Sequence, residues 1–558
     1  MKPMEKKTSQ SAFFNPRVLL GFVLCSLGVL LALLGFSLNS SSSALAAAPN
    51  QGYGQPIVGA SYKNDVSPAL RDLGQGWPLQ FKRQHEAAEN PLIPNNHEDM
   101  PDTVVQDTQI SALALLAPHI PAPILNFNGI PFPGVGCNCA PPDTNGSVGT
   151  TQYVQMVNEG YQVFDKATGN SVLGPNSIES LWSGFGGACE TGGSGDPVVV
   201  FDKIAQRWVI TEFASATGTI PITDECIAVS TSDNATGTYN RYGFHLTNTN
   251  FIDYPKIAVW PDAYYLSVNV FNATGTLFLG PQPFAFDRTK MLAGLPATFV
   301  APVGPLGSSV APFLPADLDG STLPPAGAPN TYVGWPSAGH YTVYHFHVDF
   351  AVPSNSTFTT FATPAAAPFT ALCSGNRNCV PQAGAGRTNG LDAIADRLMH
   401  RLAYRNFGDH ESVVSNYTVK SHKVGAVRWF ELRGVTAGPV TVFQESTYQP
   451  DTTWRWMGSV AMDGNGNMAV GFSASSRTIF PQIRYAGRLA TDPINTLAQG
   501  EAHLFDGTGA QVNTSNRWGD YSAMAIDPVD DLTFWYTNEY YDTTSSFNWR
   551  TRIGNFHF

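Results

Sequence analysis

Charge is scarce in this chain. Of its 558 residues only 13% are Asp, Glu, Lys or Arg, about half the share of an ordinary soluble domain. So little charge disfavours a coiled coil or a solvated helical bundle. No basic run occurs, and the formal net charge is −12, which argues against a nucleic-acid partner. Beyond residue 38 no segment is long and apolar enough to span a bilayer. Cysteine is sparse too, at seven residues, and none has the paired C-x2-C spacing of a zinc site, so no metal-ligating set is assigned.

What is present is turn-forming and apolar. The chain holds 52 Gly and 41 Pro, with 43% hydrophobic and 12% aromatic residues. That composition excludes wholesale disorder and suits many short strands joined by tight turns. Residues 1–48 read as an export signal or an N-terminal membrane anchor. Lys2, Lys6, Lys7 and Arg17 precede an uncharged apolar run over 18–38, and a small-residue stretch follows with an A-x-A site at 44–46. Either reading puts the remainder outside the cytoplasm, secreted or at the cell surface, touching a membrane only through this segment if it is uncleaved. Six cysteines follow it. Cys373 with Cys379 and Cys189 with Cys226 are the expected disulfides, and the pairing of Cys137 and Cys139 stays open.

Residues 49–122 read as an extended linker or preamble, and 123–558 as one repeat-built domain. The repeat is a small-residue apolar strand, a tight turn and an aromatic-rich strand. Its turns fall at Gly149, Asp202, Pro261, Asp319, Gly408, Asp463 and Asp527, at intervals of 53 to 64 residues apart from one of 89. The long interval holds a Pro/Ala-rich run and the Cys373/Cys379 loop, which look like an insertion. One such unit cannot bury both of its faces, and radial stacking solves that. The expectation is therefore an all-β fold, a β-propeller. Seven blades are favoured over six or eight, with the ring closed by an N-terminal strand near 124–130. A pair of β-sandwich domains is the rival.

Four segments carry a resemblance: 195–202 (GDPVVVFD), 253–262 (DYPKIAVWPD), 517–522 (RWGDYS) and 527–540 (DPVDDLTFWYTNEY). They resemble a largely uncharacterised family of exported bacterial propellers that looks like a distant relative of sialidase-type propellers. The sialidase Asp-box, S-x-D-x-G-x-T-W, is not intact, so the resemblance implies a fold and no catalytic roles.

Six to eight residues before each turn lies a position that a strand would carry to the opposite end of its sheet. Those positions hold Asp143, Asp196, Asp253, Arg401, Arg455 and Asp520, with Tyr254 and Arg517 close by, while the Asp319 repeat offers apolar Phe313. Such a ring at a channel mouth could hold a carboxylated or hydroxylated sugar through its guanidiniums, act as paired acid and base in glycoside cleavage, or bind Ca2+. It could equally be an ion-pair ring tying blades together. Three functions follow as expectations: binding of an extracellular carbohydrate-like or polymeric ligand, glycoside hydrolysis or polysaccharide lysis at the same place, and a surface scaffold for other proteins. Trp454, Trp456 and Trp518 are either sugar-stacking platforms or wedges between blades. The Asp409–Glu411 cluster, His345 with His347, and the calcium-loop echoes at Asp317–Gly320 and Asp463–Asn467 read as turns or strand surface.

Overall fold

The computed structural model describes residues 55–74, 82–83, 93, 97–106, 120–135, 137–138, 140–217, 220–373, 376–512 and 516–558. The export segment 1–48, the side chain of Cys137 and all of Cys139 lie outside them.

From residue 145 onward the chain folds as antiparallel meanders, each beginning with a largely buried strand of four to nine residues. Those first strands are Asn145–Val148, Val198–Asp202, Phe251–Val259, Phe313–Asp319, Met399–Asn406, Trp454–Met462 and Ala523–Ile526. Each packs against the next, and the last packs against the first. The chain is a β-propeller, with these strands lining its hub. Every turn expected from the sequence sits where a hub strand ends and its antiparallel partner begins, as in Asp202↔Arg207 and Met462↔Met468. In the Asp463 turn, Gly466 takes a positive φ of 80° and Gly464 does not. The Asp463 carboxylate instead collects the Asn465 and Asn467 amides at 2.9 Å.

The core lies between neighbouring sheets. Val148, Tyr153 and Phe164 of the first sheet pack with Ala525, Trp535 and Ile553 of the last, so burial is cyclic. Trp208, Trp260, Trp429, Trp456, Trp518, Trp535 and Trp549 are fully buried, each worth roughly 1.5–3 kcal/mol or more of transfer free energy. Separate sandwiches would not share a core in this way. The strand Leu125–Asn128 pairs antiparallel with Trp549–Phe556 and completes the last sheet from the N-terminal side. Two neighbouring hub strands, Phe313–Asp319 and Met399–Asn406, also pair in parallel, which joins their sheets.

Parts of the preamble add strands at outer edges. Ile57–Ala60 pairs with Thr298–Ala301, Lys63–Val66 with Tyr239–His245, and Val105–Gln106 with Thr441–Tyr448. Covered edges do not template aggregation. Ion pairs fix two of these strands or their approaches, Asp65 to Arg241 at 2.8 Å and Asp102 to Arg428 at 2.7 Å. Cys189–Cys226 and Cys373–Cys379 are disulfides.

Candidate functional site

Four of the seven hub strands share a device at their entrance. Asp143, Asp196, Tyr254 and Met457 all have positive φ, between 47° and 56°. Each stands two residues before its strand settles into regular pairing, which begins at Asn145, Val198, Lys256 and Ser459. Non-glycine residues resist this conformation, so its recurrence means the surroundings impose it. At the first three of these strands it accompanies carboxylates gathered at the entrance, those of Asp143, Asp196 and Asp253.

Asp143, Asp196 and Asp520 converge, and each offers a carboxylate oxygen within 4.8 Å of the other two. Backbone and amide donors hold them. The Asp520 amide donates to Asp143 Oδ1 at 2.7 Å, and Asn158 Nδ2 donates to Asp143 Oδ2 at 2.8 Å. The Tyr254 amide donates to Asp196 Oδ2 at 3.2 Å. Arg517 is ion-paired to Asp520. Asp253 joins the group electrostatically. All four carboxylates are at most 5% exposed.

Burial and like charge make Asp143, Asp196 and Asp253 reluctant to ionise. Burial, with the Asp520 charge beside it, pushes Asp143 up to about 7. The same two causes push Asp253 up to about 6. Burial and then Asp143 raise Asp196 well above the usual carboxylate range. Opposite charges offset this only in part.

Several members of the cluster were not foreseen. Lys256 Nζ lies 3.7 Å from the Tyr254 ring centroid and 3.9 Å from that of Tyr521, a cation held between two aromatic faces. Burial brings it down to about 8, against the pull of Asp196 and Asp520. Arg397 lies over the Tyr254 ring at 4.8 Å while bonded to Asp396. Glu539 faces Asp143 across Gly519, where an added Cβ would sit 2.9 Å from Glu539 Oε1 and 3.7 Å from Asp143 Oδ1. Glu539 is 2% exposed, and among the described residues its Oε2 has no hydrogen-bond partner. Burial and Asp143 push its carboxyl well up. Lys256 was legible as the residue two beyond the repeating entrance position; Glu539 lies in an aromatic-rich second strand with nothing to mark it.

Two predicted members are elsewhere. Arg401 sits past the entrance, further along its hub strand, bonded to Asp317 at 3.0 Å and to Asp319, which also receives Lys203. These charges line a small cavity of about 20 Å3 between the hub strands. Burial alone would raise Asp319, but Arg401 and Lys203 hold it down at about 2. Arg455 lies two residues ahead of the positive-φ Met457. Its guanidinium therefore leaves the hub for Glu501 at 2.7 Å and Asp451 at 2.9 Å.

The expected open mouth is also corrected. The insertion packs over it: Leu391, Ala393 and Ile394 cluster with Met399 of its hub strand and with Ile130, Ala140, Val157, Met457 and Trp518. The Asp392 amide donates to Asn516 O at 2.9 Å, and Tyr254 Oη donates to Leu398 O at 3.3 Å. Trp456 and Trp518 are wedges, edge to face at 6.2 Å. Of the weaker candidates, His345 Nε2 donates to Val435 O at 2.7 Å. His410 and Asp409 bond each other on the surface.

No protein-family model matches the chain, and no curated protein matches it. Solved structures do. A protein of unknown function from Dyadobacter fermentans is 13% identical over 65% of this chain and 94% of its own, with a TM-score of 0.35. The sialidase of Trypanosoma rangeli is 11% identical over 64% of this chain and 54% of its own, TM-score 0.32. The endosialidase of phage phi92 is 8% identical over 75% of this chain and 67% of its own, TM-score 0.35. At such identities and scores the likeness says nothing of activity.

Proposed function

We propose that this protein is an extracytoplasmic, non-catalytic binding propeller of seven blades whose hub holds a divalent cation. The observation that carries this is the Asp143, Asp196 and Asp520 triad, supported by the unpartnered Oε2 of buried Glu539. Oxygens bound to one Ca2+ at about 2.4 Å can lie no more than about 4.8 Å apart, and the oxygens of the triad lie within that limit. Carboxylates are hard donors, and Ca2+ tolerates irregular all-protein sites, whereas Mg2+ dehydrates reluctantly and demands a near-ideal octahedron. A dication would neutralise the repulsion that otherwise pushes protons onto Asp143 and Asp196. It would join sheets far apart in the chain, since Asp143, Asp196 and Asp520 precede the first, second and last hub strands.

Hydrolysis fits less well. Paired catalytic carboxylates need substrate between them, and a polymer reaching this ring would have to displace the insertion that packs over it. The glycan expectation therefore moves off the channel and onto the outer surface. An oxidising compartment agrees with the two disulfides.

Calorimetric titration with Ca2+ and Mg2+ tests the reading. Ca2+ is expected to bind at about one equivalent, more tightly than Mg2+, and to raise the Tm relative to EDTA. No bound metal and an unchanged Tm would overturn it.

A further inference from the structure

A second site lies at the same end of the sheets, on the outside. The insertion, the tip of the hairpin joining Glu411–Ser421 to Val424–Arg433, the approach to Trp454–Met462 and the tip joining Met468–Ser476 to Ile479–Arg488 enclose an open pocket of about 360 Å3. That is room for a sugar residue or two. Lys423, Thr452, Trp454, Ser476, Arg477 and Thr478 line it. Trp454 is half-buried, so one part of the ring is anchored while the rest meets solvent. Gly425 makes its seat, since a Cβ there would come within 3.1 Å of Trp454 Cε3.

The charges are unusual for this protein. In a chain of net charge −12, both charged residues lining the pocket are cations. Lys423 and Arg477 are exposed, and among the described residues neither has an ion-pair partner. The nearest acid in sequence, Asp451, is bonded to Arg455. The walls are fixed: the Thr478 amide donates to Ser476 Oγ at 3.1 Å, the Ala383 amide donates to Ile479 O at 3.2 Å, and Ser475 Oγ donates to Pro381 O.

An aromatic face, two unpaired cations and a set of hydroxyls match one chemistry. We infer that this pocket is a binding subsite for a uronic acid residue of an extracellular acidic polysaccharide. The apolar face of the sugar ring stacks on Trp454. Its carboxylate meets Arg477, which can hold it bidentately, and Lys423. Thr452, Ser476 and Thr478 exchange hydrogen bonds with the ring hydroxyls. The inference goes beyond the hub reading and needs no cation there.

The test is calorimetric titration of the full chain with short oligogalacturonides, a sulfated oligosaccharide and neutral cello-oligosaccharides, too short to gel with Ca2+. Oligogalacturonides are expected to bind, more weakly as salt rises. The double variant Lys423→Gln/Arg477→Gln, whose side chains are exposed, is expected to lose at least tenfold in affinity with its Tm unchanged. Trp454→Phe should lose less. The hub variant Asp196→Asn should bind like the parent, which separates failure here from failure at the hub. Undiminished binding by the double variant, equal binding of neutral sugars, preference for the sulfated oligosaccharide, or no binding at all would each overturn the assignment.

Discussion

Two charged clusters share one channel and behave oppositely. Along the hub strands, Asp319 faces Arg401 and Lys203, and its carboxyl stays ionised far below neutrality. At the entrance, Asp143, Asp196 and Asp253 face one another as much as they face Arg517 and Lys256, and their carboxyls are pushed upward. Both clusters are buried, so burial does not explain the difference; the sign of the neighbours does. Asp317 marks the boundary. It bonds the same guanidinium as Asp319, yet burial leaves it raised. A cluster already neutralised by its own side chains is a structural tie. One left with surplus like charge is open to an added proton or cation.

The largest expected effect breaks the paired cluster. Arg401→Met would leave Asp317 and Asp319 buried with Lys203 alone. Removing one partner of a buried pair costs about 3–5 kcal/mol, so urea unfolding should show a loss of that size. A loss below about 1 kcal/mol would mean the cluster is not held as described. Asp196→Asn should go the other way in EDTA. It removes one of the mutually repelling charges while an amide oxygen can still accept from the Tyr254 amide. Stability in EDTA should hold or rise by about 1 kcal/mol, and the stabilisation by Ca2+ should vanish. A large loss in EDTA would make the entrance a tie like its neighbour.

Acidity sharpens the contrast further. A carboxyl with a raised folded pKa binds its proton more tightly when folded, so its contribution is full below about 4 and is lost as pH rises. Asp253 and Asp143 place that loss between about pH 4 and 7. In EDTA the Tm should fall across this window, and Ca2+ should flatten the fall by replacing the protons. Asp319 does the reverse, contributing above about 4 and losing its contribution as pH falls through about 2. A Tm independent of pH from 4 to 7 in EDTA would count against the entrance acids being raised.

Much of this was legible from local chemistry. Turns announce themselves through Gly149, Pro261, Gly408 and Asp527, whose backbone preferences do not depend on the rest of the fold. Once turns are placed, strand length projects Asp143, Asp196 and Asp520 to the far end, and they do meet. The projection holds at Asp143 and Asp196, which themselves carry the positive φ, and fails at Arg455, which lies two residues before the positive φ of Met457. An extra residue in a strand shifts every side chain before it, and neither Tyr254 nor Met457 is a residue type that signals positive φ. That shift put Arg455 on the wrong side. Arg397 and the cover over the hub come from the insertion, whose path is set by packing against Trp518 and Ile130 rather than by any periodicity.

The smallest effect tests that correction. Arg455 is held at 2.7 Å by Glu501, which is mostly buried, and at 2.9 Å by Asp451, whose side chain is 54% exposed. An exposed partner is screened by solvent and is worth about 0.2–1 kcal/mol. Asp451→Asn should therefore cost less than about 1 kcal/mol in urea unfolding. It should also leave Ca2+ affinity untouched, because Arg455 points away from the hub. If the variant weakened Ca2+ binding severalfold, Arg455 would be coupled to the entrance acids after all. The line drawn here between ring and rim would then have to be moved outward by one sheet.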